Sequence, residues 1–326
     1  MQILITGGAG FLGQRLARTI VQAGGLCRDG TLHPLDKLIL LDVVAADDFG
    51  DPRVASVAAD ITDAATLERV VGPETASVFH LAAVVSGQAE ADFDLGMRVN
   101  FDATRLLLER LRHAGGGARL VMTSSVAVFG GDLPEVVSDD HIWAPQSSYG
   151  TQKAMADLLL SDYARKDFVD VRSIRLPTIV VRPGKPNLAA SSFASGIIRE
   201  PLHGEPTVCP VAPETLLWLM SPRSVIRNLL HAHDLPAERL GRRRVINLPG
   251  LSIRVADMIA ALGRIAGSAT TARIRMQRDP KVEQIVNSWP GNFAATHARS
   301  LGFVADTDFA DIIHAFMEDE RVSAVA

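Results

Sequence analysis

Cysteine is scarce in this chain: Cys27 and Cys209 are the only two among 326 residues. They lie far apart, and neither has a second thiol or a histidine at metal spacing. That excludes a disulfide framework and a cysteine-ligated zinc site, and leaves two reduced thiols in a cytoplasmic protein. The histidines carry no metal pattern either. His231 and His233 flank Ala232, a separation that does not put both rings on one helix face, while His80 and His141 stand alone. No metal is expected. No apolar run reaches the roughly 18 residues of a spanning helix, so no membrane segment is expected. The chain enters a strand at once, without a charged n-region or an apolar h-region, so no secretory leader is expected. Positive charge is not in excess. The net charge is −4, which gives no reason to expect nucleic acid or an anionic membrane as a partner. Internal repeats and low-complexity tails are also lacking.

What is present reads as a globular protein. Hydrophobic residues at 47% and charged residues at 21% supply a sizeable core, and the length suggests about two domains. Residues 1–5 read as a short buried strand. Residues 6–13, Thr-Gly-Gly-Ala-Gly-Phe-Leu-Gly, read as a tight turn that opens a helix over 14–20. A strand, a glycine-rich turn and a helix form a phosphate cradle. Gly7 permits the turn, Gly10 lets the backbone approach a pyrophosphate, and Gly13 lets the helix pack closely. Phe11 and Leu12 stand between the last two at the helix start. Gly8, Gly10 and Gly13 also satisfy G-x-G-x-x-G, which alone is weak; the flanking strand and helix are the context it needs. A glycine-rich turn without a ligand is the plain alternative.

The rest of the first half alternates apolar strands with helices. After a polar loop over 24–37, read as a surface insertion, residues 38–42 form a strand ended by Asp42. An acid there binds the adenosine ribose hydroxyls and repels a 2′-phosphate. Asp47 and Asp48 follow rather than Arg or Lys, which favours NAD over NADP; a strand-end Asp that only caps the next turn is the alternative. Strands are expected at 54–58, 78–83, 120–125 and 169–174, and helices at 63–71, 93–113 and 149–165. From Arg175 onward, seven prolines between Pro177 and Pro213 break the chain into short pieces. Helices are plausible at 221–233 and 255–266, and a strand at 244–248. The fold class is α/β, a Rossmann-type doubly wound parallel sheet with a smaller mixed α/β C-terminal substrate lobe. Residues 1–176 form the NAD-binding domain and 177–326 mainly the substrate lobe, with segments such as 221–250 able to return to the first domain. Ligands bind such sheets beyond the carboxyl ends of the strands, where Asp42, Asp60, Ala82 and Ser125 fall.

Tyr149 and Lys153 stand four apart at the head of a helix, hence on one face. A nearby ammonium and a cationic nicotinamide favour the phenolate and lower the Tyr pKa toward working pH. Tyr149 then takes the proton of a substrate hydroxyl as hydride leaves the same carbon, Lys153 also holds the ribose, and Ser125 steadies the substrate oxygen. A surface tyrosine with a solvated lysine is the bland reading of Y-x-x-x-K. The glycine turn and the strand ending in Ser124-Ser125 favour the chemical one.

With these residues in place, the sequence resembles the extended short-chain dehydrogenase/reductase (NAD-dependent epimerase/dehydratase) superfamily. The opening glycines, Asp60-Ile61, His80-Leu81-Ala82-Ala83, Asn100, residues 124–130 and Tyr149 with Lys153 carry the resemblance, which spans nearly the whole chain. It implies that Asp60 and Ile61 lie by the adenine, that Ser125, Tyr149 and Lys153 are the catalytic trio, and that Asn100 is a structural or cofactor-near residue. The implied cofactor set extends to Leu81, Ala82, Ala83, Ser125, Tyr149, Lys153, Pro177 and Ile179. The dehydratases of the superfamily carry an Asp-Glu pair after the catalytic hydroxyl; Val126 and Ala127 stand here. The epimerases usually carry Asn-Val-Tyr-Gly-Pro after the sixth strand; residues 177–184 differ, and Val84 and Val85 replace a polar face for a sugar diphosphate. Residues 124–130 and 170–175 look more like the L-threonine dehydrogenase branch. Residues 175–187 and 191–202 look closer still to the D-erythronate dehydrogenase family, which implies oxidation of a four-carbon sugar acid at carbon 2 with NAD. The resemblance also suggests a homodimer packed through the helices around Phe101 and Met155.

A sugar acid needs a carboxylate anchor, and Arg is the natural one. Arg182 and Arg223 are both candidates, each with an ordinary ion pair as the alternative. Ser86, Ser125, Thr178 and Ser192 are candidate hydroxyl ligands for the substrate, although Ser and Thr in loops more often cap helices. Two other functions stay open: a sugar-nucleotide epimerase that retains NAD, and a non-catalytic NAD-sensing protein.

Overall fold

The computed structural model describes residues 1–322. Its first half builds strands β1 (Gln2–Thr6), β2 (Lys37–Asp42), β3 (Val54–Ala58), β4 (Thr75–His80), β5 (Arg119–Ser125) and β6 (Asp170–Leu176). Between them run helices α1 (Phe11–Ala23), α2 (Ala64–Val70), α3 (Ser86–Ala91), α4 and α5 (Ser148–Arg165). Helix α4 is continuous through the segments Phe93–Gly96, Met97–Asp102 and Ala103–Ala114, and its middle segment is a π-helical turn carrying Asn100. The second half contributes β7 (Thr178–Ile179), α6 (Ser192–Leu202), β8 (Leu216–Met220), α7 (Pro222–Asp234), β9 (Val245–Asn247), β10 (Leu251–Arg254), α8 (Val255–Ala266), α9 (Pro280–Asn287) and α10 (Phe309–Glu320).

Seven strands form one sheet in the order β3-β2-β1-β4-β5-β6-β9. Every pairing in it is parallel. A parallel sheet covered by helices on both faces buries its strands, which is why the centre of β1 is the apolar run Ile3-Leu4-Ile5, fully buried. Each such side chain contributes about 1.5–3 kcal/mol of burial. The strand order reverses between β1 and β4, and the crevice beyond their carboxyl ends is where such sheets bind ligands.

The second half divides itself between two cores. Strand β9 pairs with β6 at the edge of the main sheet, and Val225, Leu229 and Ala232 of α7 share a core with Ile3, Leu16 and Ile20. The other segments form the smaller body. There β8 lies between β7 and β10, and Phe193, Ile197, Leu219, Met258, Leu262 and Ile313 pack together. The segment read as a surface loop over 24–37 is an antiparallel hairpin pairing Gly25–Arg28 with Thr31–Pro34. Asp29 and Gly30 both take positive φ, 55° and 78°, the left-handed pair that a two-residue hairpin turn requires. No helix among the described residues is long and apolar enough to cross a membrane.

Candidate active site

A cleft of 240 Å³ opens at the carboxyl ends of the sheet. It is lined by Leu12 of α1, Leu81 and Ala83 after β4, Ser125 at the end of β5, and Tyr149 and Lys153 of α5. Pro177, Thr178, Ile179, Arg182 and Trp289 line it as well. A roomier depression of 530 Å³ lies by Met1, Arg28 and His33, at the amino ends of the strands, and gathers none of the predicted residues.

The glycine turn is built by close approach. Gly7 has φ 70°, and a Cβ at Gly13 would lie 2.2 Å from the Gly7 carbonyl oxygen. Helix α1 thus starts directly on the turn. Its N-cap is Gly10, with no side-chain capping bond, so the N–H groups of Phe11, Leu12 and Gly13 are free for an anion. Asp42 does two things. Its carboxylate accepts from the Ala9 N–H at 3.1 Å and the Val43 N–H at 2.7 Å, tying β2 to the turn, and a carboxylate has further lone pairs for hydroxyls. Asp60 accepts from the Thr62 N–H at 2.8 Å in an exposed turn. The Ile61 side chain is buried among Leu4 and Leu41. Ala82 sits where a Cβ at Gly7 would strike its backbone nitrogen at 2.7 Å. Asn100 accepts from the Val84 N–H at 2.8 Å and donates to the Val84 carbonyl at 3.1 Å. It clamps the segment after β4 rather than facing the cleft, and the π turn of α4 delivers it there.

Helix α5 begins with the Ser147 hydroxyl accepting from the Gly150 N–H at 3.1 Å. A Cβ at Gly150 would lie 2.1 Å from the Ala127 carbonyl oxygen. Glycine at that position lets the helix start press on the turn after β5 and brings Tyr149 to Ser125, whose hydroxyl accepts from the Ala127 N–H at 3.1 Å. Lys153 Nζ donates to the Thr123 carbonyl at 3.0 Å and lies 5.8 Å from the Tyr149 ring centre. Burial pushes the Lys153 ammonium down to about 8, opposed by the Asp157 carboxylate. The expectation of a phenol acidified by its lysine is corrected for the protein alone. Burial pushes Tyr149 up to about 12; the Ser125 hydroxyl and the Arg182 guanidinium pull it down, and Asp157 adds to the rise. The cation that pulls the phenol down is Arg182, while the Lys153 ammonium is directed at a backbone carbonyl.

Behind the trio lies a buried polar cluster that sequence reading missed. Asp157, fully buried on α5, accepts from Ser124 Oγ at 3.0 Å, Ser173 Oγ at 2.5 Å and Arg175 Nε at 2.8 Å. Arg175 is also buried and stacks 3.8 Å from the Trp143 ring. The available signal was an acid four positions after Lys153, in a stripe continued by Leu160 and Ala164. His80 is buried between Thr6 Oγ1 at 2.7 Å and Thr104 Oγ1 at 2.9 Å. Burial, with Lys153 nearby, pushes it down to about 3, so it is a neutral bridge.

The predicted substrate ligands separate. Arg182 lines the cleft, and its guanidinium makes no hydrogen bond or ion pair with any described residue; its backbone is held by Ser195 Oγ and Arg199. Burial and the Arg199 charge lower its pKa, and Tyr149 opposes them. Thr178 and Ser86 also line the cleft, although the Ser86 hydroxyl accepts from the Ala190 N–H at 3.3 Å. Arg223 does not reach the cleft. It pairs with Asp319 at 2.6 Å and Glu318 at 2.9 Å, carboxylates from the far end of the chain. Ser192 is also set aside from the cleft, since its hydroxyl accepts from the Asn187 N–H at 3.1 Å while Ser191 takes the lining position. Trp289 was not foreseen.

A parallel sheet with an uncapped helix opened by a glycine turn, and a small-residue path beside it, defines a dinucleotide-binding protein. Residues 3–237 match the NAD dependent epimerase/dehydratase family. The chain is 58% identical over 319 residues to the D-erythronate dehydrogenase of Cupriavidus necator, covering 98% of each. It is 47% identical to the D-erythronate dehydrogenase of Haemophilus influenzae, over 98% of this chain and 99% of that one. The solved structure of a nucleoside-diphosphate-sugar epimerase from Agrobacterium tumefaciens superposes with a TM-score of 0.93 at 42% identity, covering 98% of this chain and 94% of that one. The chain belongs to the NAD-dependent epimerase/dehydratase family. It is an NAD-dependent dehydrogenase, and the free N–H groups of α1 and the crowding around Gly7 and Gly13 fit that cofactor. The Gly13→Ala substitution is expected to weaken NAD binding about tenfold or more, because the added methyl forces α1 off the turn at a cost typical of overpacking. A titration of each protein with NAD measures it.

Proposed function

We propose that this chain oxidises the C2 hydroxyl of D-erythronate, a four-carbon sugar acid, to 2-dehydro-D-erythronate. The observation that carries the reading is Arg182: a guanidinium without a counter-ion among the described residues, in one cleft with Ser125, Tyr149 and Lys153. A free, half-buried Arg beside a proton-transfer site suits a substrate that brings its own carboxylate. The names of two relatives, at 58% and 47% identity, point to the same acid.

Arg182 holds the carboxylate and so sets the adjacent C2 hydroxyl at the phenol. Tyr149 takes the proton from that hydroxyl oxygen, and the Ser125 hydroxyl donates to the same oxygen as charge develops on it. Lys153, anchored on the Thr123 carbonyl, keeps a positive charge at the base of the site. Gly7, Gly10, Gly13 and the α1 N–H groups would hold the cofactor's pyrophosphate, and Asp42 its ribose. Bound NAD supplies the hydride acceptor.

The test is direct. The purified protein, given NAD and a panel of aldonic acids, is expected to form NADH with D-erythronate; no NADH from any four-carbon acid overturns the reading. Arg182→Gln is expected to lower kcat/KM about 100-fold, mainly through KM, since hydrogen bonds to charged groups contribute about 1.5–3 kcal/mol. The solved epimerase with a TM-score of 0.93 favours a second reading, in which NAD stays bound and a nucleotide sugar is the substrate. Calorimetry with UDP- and GDP-sugars separates the two, because only the epimerase reading expects binding.

A further inference from the structure

Arg182 stands where the chain leaves the small sheet. The Val180 N–H still donates to the Met220 carbonyl of β8 at 3.0 Å, and residues 184–188 are all exposed. Between these two stretches, both backbone polar groups of Arg182 are taken by side chains of α6. Its N–H donates to Ser195 Oγ at 3.0 Å, and its carbonyl accepts from the Arg199 guanidinium at 2.6 Å. Ser195 and Arg199 are four apart, hence on one face of the helix, and both are buried. Phe193, Ala194, Ile197 and Ile198 fix α6 in the small-lobe core. Arg199 is held in turn by Glu200 Oε1 at 2.6 Å.

Two physical points give this clamp a purpose. The Arg182 guanidinium makes no bond of its own to any described residue, so its backbone and the walls of the cleft alone locate it, and a group misplaced by about 1 Å can cost about 100-fold in rate. A neutral donor could satisfy a backbone carbonyl. Arg199 instead places a second, buried cation there, which is costly to desolvate and weighs against the Arg182 charge. Like charges side by side are relieved by an anion. Glu200 serves Arg199, and no described residue serves Arg182. We propose that Ser195 and Arg199 are positioning residues that hold the Arg182 backbone on both sides and so aim its guanidinium at the substrate carboxylate. The inference rests on the sugar-acid reading and adds what that reading lacks, the means by which the small lobe sets the anchor in place.

The experiment is a double-mutant cycle. With saturating NAD, kcat and KM for D-erythronate are measured for the native enzyme, Ser195→Ala, Arg182→Gln and the pair together. Ser195→Ala is expected to raise KM about tenfold, with kcat and NAD affinity within about twofold. In the Arg182→Gln background the same substitution is expected to change KM by less than about twofold, because the group it aims is gone. An equal loss in both backgrounds makes Ser195 a merely structural residue and overturns the assignment, as does no loss in either. Arg199→Met goes through the same cycle, so the test does not hang on one variant folding. In ¹⁵N-arginine-labelled protein without substrate, the Nε–H resonance missing from Arg182→Gln is expected to move in Ser195→Ala; a resonance that stays in place overturns the assignment. If the native enzyme oxidises no four-carbon acid but that resonance moves, the sugar-acid reading fails and the hold on Arg182 stands. If it oxidises D-erythronate and the losses simply add, the positioning role alone fails.

Discussion

Tyr149→Phe is expected to lower kcat by about 10²–10⁴, the range that a positioned general base supplies, while NAD affinity stays within about twofold. The substitution removes one oxygen and keeps the ring. The close approach of Gly150 to Ala127, the Ser147 cap and the Lys153 bond to Thr123 do not involve that oxygen, so the site keeps its shape. The pH profile supplies the sign. In the proposed reaction the base is the deprotonated phenol, and burial holds that phenol up at about 12 in the protein alone. The native kcat/KM for oxidation therefore rises with pH across neutrality. The rise ends as Lys153, held down at about 8, loses the positive charge that it keeps at the base of the site. The residual rate of Tyr149→Phe is expected to lack the rise. A variant that keeps the native slope would show that another group takes the proton.

Asp157→Asn is expected to be the most destabilising single change in the site. Asp157 and Arg175 are fully buried, and removing one partner of a buried ion pair leaves an uncompensated charge at a cost of about 3–5 kcal/mol. Urea unfolding of the two proteins measures it. The double variant Asp157→Asn with Arg175→Met is expected to recover part of the loss, because no orphaned charge remains. The same substitution has a catalytic signature. Asp157 opposes the burial that lowers the Lys153 pKa, so its removal should move the flattening of the pH profile below the native value. A stability loss with no movement of the profile would separate the ion pair from the chemistry.

The architecture was legible where its causes are local. Strand β1 holds the apolar run Ile3-Leu4-Ile5 and β2 the run Leu38-Ile39-Leu40-Leu41, and α1 begins at a run of glycines whose need for space is seen in the 2.2 Å approach at Gly13. The Asp29-Gly30 hairpin carried a clear local signal and was still read as loop, because the flanking strands are short and polar. Tyr149 and Lys153 were found through a spacing of four on one helix. Arg182 and Arg223 were indistinguishable in sequence. What separates them is who stands opposite: Arg223 meets Glu318 and Asp319, 95 and 96 positions further on, and the Arg182 guanidinium meets no partner among the described residues. The cluster around Asp157 draws on β5, α5 and β6, and Trp289 reaches the cleft from the small lobe.

The sequence by itself determined the alternation of strands and helices, the glycine turn and the candidate pair Tyr149 and Lys153 on one helix face, because periodicity, turn chemistry and helical spacing act over a few residues. Only the tertiary structure decided which arginine lacks a partner among the described residues, that β9 returns to the main sheet, and that the Tyr149 phenol is held up at about 12 in the protein alone. Those outcomes depend on partners and on exclusion of water, and both are set by segments tens to hundreds of residues apart that meet only when the chain has folded.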